Sequence, residues 1–142
     1  MDTSKTYIKM CEKAEEIQKI FRGKGVNKYS EDIYKCTSPD GGCMARGFNG
    51  LDACDKCEYN TVWLPRQDQI QEMVGSKTAE LIDNFYWFCI NEARNSDGYM
   101  DCIHDGDPEK IDQKSMEQLW LSFVMKEKYQ KTWDSEKEEW VK

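Results

Sequence analysis

The sequence predicts an α+β fold dominated by helices: a single domain, residues 1–142, with about four helices, a few short strands and a zinc-stapled loop. Apolar residues recur at three- and four-residue spacing in separate segments, which is typical of amphipathic helices. Short β-prone runs lie between them. Residues 26–60 are too polar to fold by burying a hydrophobic face and too long for a bare connection, so they form a cysteine-rich zinc-knuckle insertion within that domain.

The first predicted element is an amphipathic helix from Ser4 to Phe21. Thr3 or Ser4 is suited to cap its first N–H groups, and Gly23 and Gly25 supply the freedom to end it. Its apolar positions are Tyr7, Met10, Cys11, Ala14, Ile17 and Phe21.

The middle of the chain predicts a strand and two helices. A β-prone run covers residues 61–63, and Pro65 and Gly75 bound a two-turn helix that turns Ile70, Met73 and Val74 inward. A longer helix follows from about Ser76 to Arg94, and we expect it to be the central helix of the core. Its predicted buried stripe is Leu81, Ile82, Phe85, Phe88 and Cys89.

The last third predicts a strand from Tyr99 to His104 and a helix that begins after Ser115. Ser115 and Gln118 form a capping box, in which each side chain satisfies a backbone N–H at the helix start. The apolar positions of that helix are Met116, Leu119, Trp120, Phe123 and Val124. The tail from Thr132 to Lys142 is either a closing hairpin or a short helix capped by Ser135.

Three blocks of the sequence resemble a family of short phage and prophage proteins of unknown function. They read YIKMCEKAEEIQ at 7–18, VWLPRQDQIQEM at 62–73, and SMEQLWL with VMKEKY within 115–129. The resemblance implies an origin in a phage or prophage of a Gram-positive-type host, and it implies no activity. The chain departs from that family in carrying the cysteine-rich stretch between the first two blocks.

Four cysteines in the polar stretch predict one structural zinc ion. Their spacing is C-x6-C-x10-C-x2-C, and the last pair can offer two sulfurs from one tight turn. Gly41 and Gly42 permit a sharp backbone path beside the second cysteine. Because four thiolates leave no open position for water, the metal is structural. Free buried thiols or an iron–sulfur cluster are the alternatives. The predicted ligands are Cys36, Cys43, Cys54 and Cys57.

The remaining cysteines and the single histidine offer no catalytic arrangement. Cys11 and Cys89 fall on apolar stripes and are expected in the core. Cys102 and His104 lack further ligands nearby, so we interpret them as a strand residue and a turn residue. No nucleophile–base pairing or phosphate-binding loop is visible. We therefore expect no enzyme and no catalytic residues.

Charge and composition restrict the partners and the location. The net charge is −7, and 18 of the 27 acidic residues follow residue 57, which disfavours nucleic acid. The basic run from Lys5 to Lys35 is interpreted as a solvated surface. Without a signal peptide or an apolar stretch able to span a membrane, and with seven cysteines, we expect a cytoplasmic protein of the bacterial host, with reduced thiols.

The predicted function is that of a small phage or prophage accessory protein that binds a host or phage protein. The aromatic cluster at 85–88 surrounds its helix, so Tyr86 and Trp87 either pack in the core under the zinc loop, which we favour, or contact a partner chain. One alternative is an acidic nucleic-acid mimic or host-defence inhibitor of the anti-CRISPR or anti-restriction type, which would cluster Asp101, Asp105, Asp107, Glu109, Asp112, Asp134, Glu136, Glu138 and Glu139 on one face. A second alternative is a zinc-knuckle nucleic-acid binder that uses Arg22, Lys24, Lys28, Lys35, Arg46 and Lys56. The candidate partner-binding residues are Tyr86, Trp87, Arg46 and Phe48.

Overall fold

The computed structural model describes residues 2–23, 33–36, 44–46, 61–75, 77–93 and 114–142. These residues form five helices and five short strands, so the helix-dominated α+β class is confirmed. The chain divides into a first unit, Met1–Arg66 with Lys131–Lys142, and a second unit, Gln67–Gln130. The zinc-stapled loop lies almost entirely outside the described residues, and the single domain stays a prediction.

Each unit has its own set of elements. The first unit contains α1 (Lys5–Lys13), α2 (Glu15–Gly23), β1 (Ile33–Cys36), β2 (Met44–Arg46), β3 (Thr61–Leu64), β4 (Thr132–Asp134) and β5 (Glu139–Val141). The second unit contains α3 (Gln67–Val74), α4 (Thr78–Ala93) and α5 (Met116–Tyr129). The predicted strand at 99–104 lies outside the described residues.

The predicted helix over Ser4–Phe21 is two helices, because the backbone breaks at Ala14. Ser4 caps α1 as expected, since its hydroxyl accepts the Tyr7 N–H. At Ala14 the torsion angles are φ −84° and ψ 67°, outside the helical region, and its N–H is shared between the carbonyls of Met10 and Cys11. Its own carbonyl accepts the N–H groups of Ile17 and Gln18, so one residue ends α1 and begins α2.

The side chain of Gln18 joins both helices to the sheet. Its amide nitrogen donates to the Cys11 carbonyl at 3.1 Å and to the Trp63 carbonyl at 3.0 Å. Its amide oxygen accepts the Trp63 N–H at 3.1 Å. The buried amide thus pairs with both backbone groups of one β3 residue, as a residue of a further strand would, and covers the sheet edge.

The sheet of the first unit is antiparallel, with strand order β2-β1-β3. In its register Lys35 lies opposite Met44, and Cys36 lies opposite Thr61. The strand predicted at 61–63 is confirmed. One further bond ties α1 to the end of β3, because the hydroxyl of the buried Tyr7 donates to the Pro65 carbonyl.

The sequence allows either a hairpin or a short helix for the tail, and the structure shows the hairpin. Trp133 and Trp140 face each other across β4 and β5, edge to face, with ring centroids 5.1 Å apart. The Trp140 indole N–H donates to the Met10 carbonyl at 3.0 Å, which docks the hairpin on α1. The Asp134 carboxylate accepts the N–H groups of Glu136 and Lys137 and so closes the turn.

The centre of the second unit is α5, not α4 as the sequence suggested. Every residue from 118 to 125 is buried, including the polar Gln118 and Ser122. Ser115 caps α5 as predicted, because its hydroxyl accepts the Gln118 N–H. Met116 is the exception to the predicted stripe, since it is 46% exposed. The predicted helix between Pro65 and Gly75 is confirmed as α3, which buries Ile70.

Replacement of Gln18 by Ala tests the amide bridge. The change removes three hydrogen bonds inside the first unit, so we expect a loss of about 2–4 kcal/mol in the free energy of unfolding. Urea unfolding of the full chain, followed by tryptophan fluorescence, measures it. Lys19→Ala, at the exposed neighbouring position, is the matched control and should cost under about 0.5 kcal/mol. Equal losses in both variants would contradict the bridge.

Candidate protein-binding face and candidate metal centre

One side of α4 packs against α5 through aromatic rings. Phe85 stacks on Trp120 with centroids 3.7 Å apart and planes 6° from parallel. Phe88 meets Phe123 edge to face at 5.4 Å, and Lys126 places its ammonium group 5.5 Å from the centre of the Phe88 ring. The predicted stripe is therefore confirmed at Phe88, which is buried, and Phe85 lies at its half-exposed edge.

The other side of α4 carries large apolar side chains that lie in solvent. Ile82 is 61% exposed, Tyr86 51% and Trp87 47%. The favoured prediction, that Tyr86 and Trp87 pack in the core, is wrong, and so is the place of Ile82 in the buried stripe. Tyr86 and Trp87 contact each other edge to face at 5.6 Å. We call Ile82, Tyr86 and Trp87 the outer face of α4.

Two acidic residues lie on either side of Trp87 around the helix axis, and neither has an ion-pair partner in the part of the chain that the structure describes. Glu80 and Asp83 are both exposed. Glu92 on the same helix differs, because its carboxylate lies 3.2 Å from the ammonium of Lys114 and 3.9 Å from that of Lys126. The uncompensated negative charge of α4 is thus concentrated beside its exposed apolar residues.

Of the four predicted zinc ligands, the structure describes the backbone of Cys36, while Cys43, Cys54 and Cys57 lie outside the described residues. Cys36 is the last residue of β1. The strands on either side are antiparallel to β1, so β2 begins at Met44 and β3 at Thr61 beside that same end. Among the described residues, no three His, Cys, Asp or Glu side chains form a group that could hold a metal ion.

The two described cysteines outside this set have protonated thiols. Burial raises the pKa of the fully buried Cys11 thiol far above its ordinary range. Burial also raises the pKa of Cys89, with a smaller contribution from the nearby Glu92 charge. Cys11 is a core residue as predicted, whereas Cys89 is half-buried. Cys102 and His104 lie outside the described residues.

The other candidate residues are only partly described. Arg46 ends β2, with its backbone described, and Phe48 lies outside the described residues. Lys35 lies within β1 and Arg22 within α2. Three members of the proposed basic nucleic-acid-binding set lie outside the described residues: Lys24, Lys28 and Lys56.

The acidic residues proposed for nucleic-acid mimicry are described only in the tail. Backbone and side-chain hydrogen bonds from Lys137 hold the pKa of Asp134 below its ordinary value. Glu138 pairs with Lys9 at 3.0 Å. These two carboxylates are therefore occupied by lysines of the same unit. Glu136 and Glu139, the other two tail acids, are exposed, and the five acids within residues 101–112 lie outside the described residues.

The sequence does not show which side of α4 is exposed, because α4 carries two adjacent rows of apolar side chains. Leu81, Phe85 and Phe88 form one row at helical spacing, and Ile82, Tyr86 and Ile90 form a second row beside it. A helix with two apolar rows can bury only the one that meets a neighbour. Counting the rows separately would have identified the second as a candidate surface.

Within the described residues, no helix is both long and apolar enough to cross a membrane. No protein-family model matches the chain, and neither the curated proteins nor the solved structures give a significant match.

A pH-dependent ion pair links α2 to the residue before the tail hairpin. The Lys131 ammonium donates to the Glu16 carboxylate at 2.6 Å. Partial burial opposes ionisation of Glu16, but the Lys131 hydrogen bond and charge outweigh it, so the pKa of Glu16 lies below its ordinary value of 4.5. A lowered pKa means that the folded state favours the charged form. The pair therefore stabilises the fold above about pH 4.5, and that stability is lost as pH falls through the lower folded-state pKa.

Replacement of Glu16 by Gln tests this pair. We expect the variant to lose on the order of 1 kcal/mol of unfolding free energy at pH 7, and the difference from the unmodified protein to shrink as pH falls below 4.5 and through the lowered pKa of Glu16. Urea unfolding at a series of pH values measures both. Glu15→Gln is the control, because the ion pair of Glu15 with Lys19 is an exposed contact. A difference that persists unchanged at pH 3 would contradict the assignment.

Proposed function

We propose that this chain is a small, non-catalytic phage or prophage accessory protein that binds another protein through the outer face of α4, with a structural zinc ion in its first unit. The observation that carries the proposal is the exposure of Ile82, Tyr86 and Trp87 side by side on one helix. Tryptophan and tyrosine are the residue types most often found at the energetic centre of protein interfaces.

The size of the exposed apolar surface supports a binding role. Tyr and Trp side chains each carry roughly 150–250 Å² of surface. With about half of each exposed, on the order of 100 Å² per ring remains to be covered, which corresponds to about 2.5 kcal/mol per ring at ~25 cal/mol per Å². Two adjacent rings and Ile82 can therefore form the centre of a contact, while isolated exposed apolar residues are ordinary.

Covalent continuity supports the zinc proposal. Cys43 is the residue before Met44, so its Cα lies within about 3.8 Å of the start of β2. Cys57 precedes Thr61 by four residues, a span of at most about 14 Å, and Cys54 is three residues before it. Cys36 ends β1 beside both strand starts. Chain connectivity therefore allows Cys43 and Cys57 to come near the end of β1 at which Cys36 lies, as one shared site would require.

The chemistry of that ligand set suits zinc. Four thiolates in a tetrahedron form a closed structural site. A zinc ion bound there would stabilise the first unit by on the order of 10 kcal/mol, because the binding free energy of such sites is coupled to folding.

Substitution of the outer face tests the binding role. A tagged Y86S/W87S variant, produced in a bacterial host during phage infection, should lose a protein that co-purifies with the unmodified chain. Since both residues are surface residues, the free energy of unfolding should change by less than about 0.5 kcal/mol. T78S/N91S is the matched control on exposed polar positions of the same helix, and it should retain the partner. Co-purification that is equal in all three proteins would refute the role of this face.

Metal analysis tests the zinc site. We expect one zinc per chain in the purified protein, and loss of the metal in Cys36→Ser and Cys57→Ser. Cys89→Ser, a half-buried helix position, should keep it. Removal of the metal by a chelator should lower the urea midpoint of the first unit. Iron with acid-labile sulfide would indicate a cluster instead, and a metal-free protein with unchanged unfolding would exclude the site.

A further inference from the structure

We infer that the partner presents an amphipathic α-helix, flanked on one edge by Lys or Arg, to the outer face of α4. The inference rests on the proposed protein-binding role and specifies the chemistry of the partner. Three properties of α4 lead to it: the spacing of its exposed apolar residues, the saturation of its backbone, and the position of its unpaired acids.

The spacing of the exposed residues is that of a helix-packing ridge. The exposed Ala79, Ile82 and Tyr86 follow one another at three or four residues, and the half-buried Ile90 continues the row. At about 100° per residue they fall within an arc of about 80°, so they form one continuous row along the axis. Such a row packs into the groove between the side-chain rows of another helix.

The saturated backbone of α4 argues against a partner that binds by β-strand addition. A peptide that binds in this way gains its affinity from backbone hydrogen bonds to a sheet edge. The N–H and C=O groups in the middle of α4 are already paired within the helix. An extended peptide on this face would lose water from its own backbone groups without replacing those bonds, whereas a helical partner satisfies its backbone internally.

The acids specify the charge of the partner. Asp83, Trp87 and Glu80 follow the exposed row on one edge, at angles of about 40°, 80° and 100° from Ala79. Because Glu80 and Asp83 have no ion-pair partner among the described residues, lysine or arginine on the partner helix would meet unopposed negative charge at the rim.

The same acids argue against a second copy of this chain as the occupant. A two-fold symmetric contact uses the same surface on both copies. It would bring two copies of Glu80 and two of Asp83 to the rim of one interface, where like charges repel. In each copy, Lys77, which directly precedes α4, supplies one positive charge against the two negative charges of Glu80 and Asp83.

Three labelled synthetic peptides test the inference on the full chain by fluorescence anisotropy. The first is a helix with leucines at heptad spacing and lysines along one edge. The second carries glutamates in place of those lysines, and the third keeps the composition of the first but is interrupted by prolines. We expect the first to bind at least about tenfold more tightly than the other two, a difference of about 1.4 kcal/mol.

Charge-reversal variants separate a specific contact from attraction to an acidic protein. E80K/D83K should reverse the preference between the lysine and glutamate peptides. E72K/E127K makes the same change in net charge at exposed positions of α3 and α5 and should preserve it. Y86S/W87S should weaken the lysine helix by about tenfold or more.

The opposing results are distinct. Equal binding of the helical and proline-interrupted peptides would exclude a helical partner, and equal effects of the two charge reversals would exclude the acidic rim. A concentration-dependent dimer in sedimentation velocity, abolished by Y86S/W87S, would make a second copy the occupant. If any of these results occurred while the Y86S/W87S variant still failed to co-purify the partner protein, the inference of a basic helix would fail and the proposed protein-binding function would stand.

Discussion

The first unit depends on one buried side-chain amide. Gln18 satisfies a carbonyl at the end of α1 and both backbone groups of Trp63, so it fixes α1, α2 and β3 relative to one another. The tail hairpin docks on α1, and β1 pairs with β3. The positions of the hairpin and of β1 therefore depend on this arrangement. A buried amide with its bonds made is stabilising mainly because the groups it serves would be costly to leave unpaired.

In the second unit, the buried central helix is α5 and not α4. Both α4 and α5 are apolar around much of their circumference, but α5 is covered along residues 118–125 by its neighbours. Once the rings of Phe85 and Phe88 are stacked on α5, α4 has no second contact within the described residues that covers Ile82 or Tyr86. Exposure of the outer face is therefore a consequence of which helix occupies the centre.

Local signals predicted local features of the fold well. Serines at 4 and 115 mark the starts of α1 and α5 because capping is a bond within one turn. The break at Ala14 could not be predicted, because no glycine or proline marks it, and the bond from Gln18 that holds α2 against β3 reaches a residue 45 positions away. For the candidate site, the sequence identified Tyr86 and Trp87 but not their exposure, since periodicity identifies apolar rows without saying which row meets a neighbour.

An exposed row of apolar side chains favours self-association of a free protein, and the charges around the row affect that tendency. Glu80 and Asp83 are excluded from the ion pairs that occupy Glu92. In the absence of a partner, their repulsion opposes contact between two copies of the same face. In the presence of a basic helix, the same charges become attractive and raise the rate of encounter. One pair of carboxylates would thus both suppress self-association and select a basic partner, which is a physical reason for their having no ion-pair partner among the described residues.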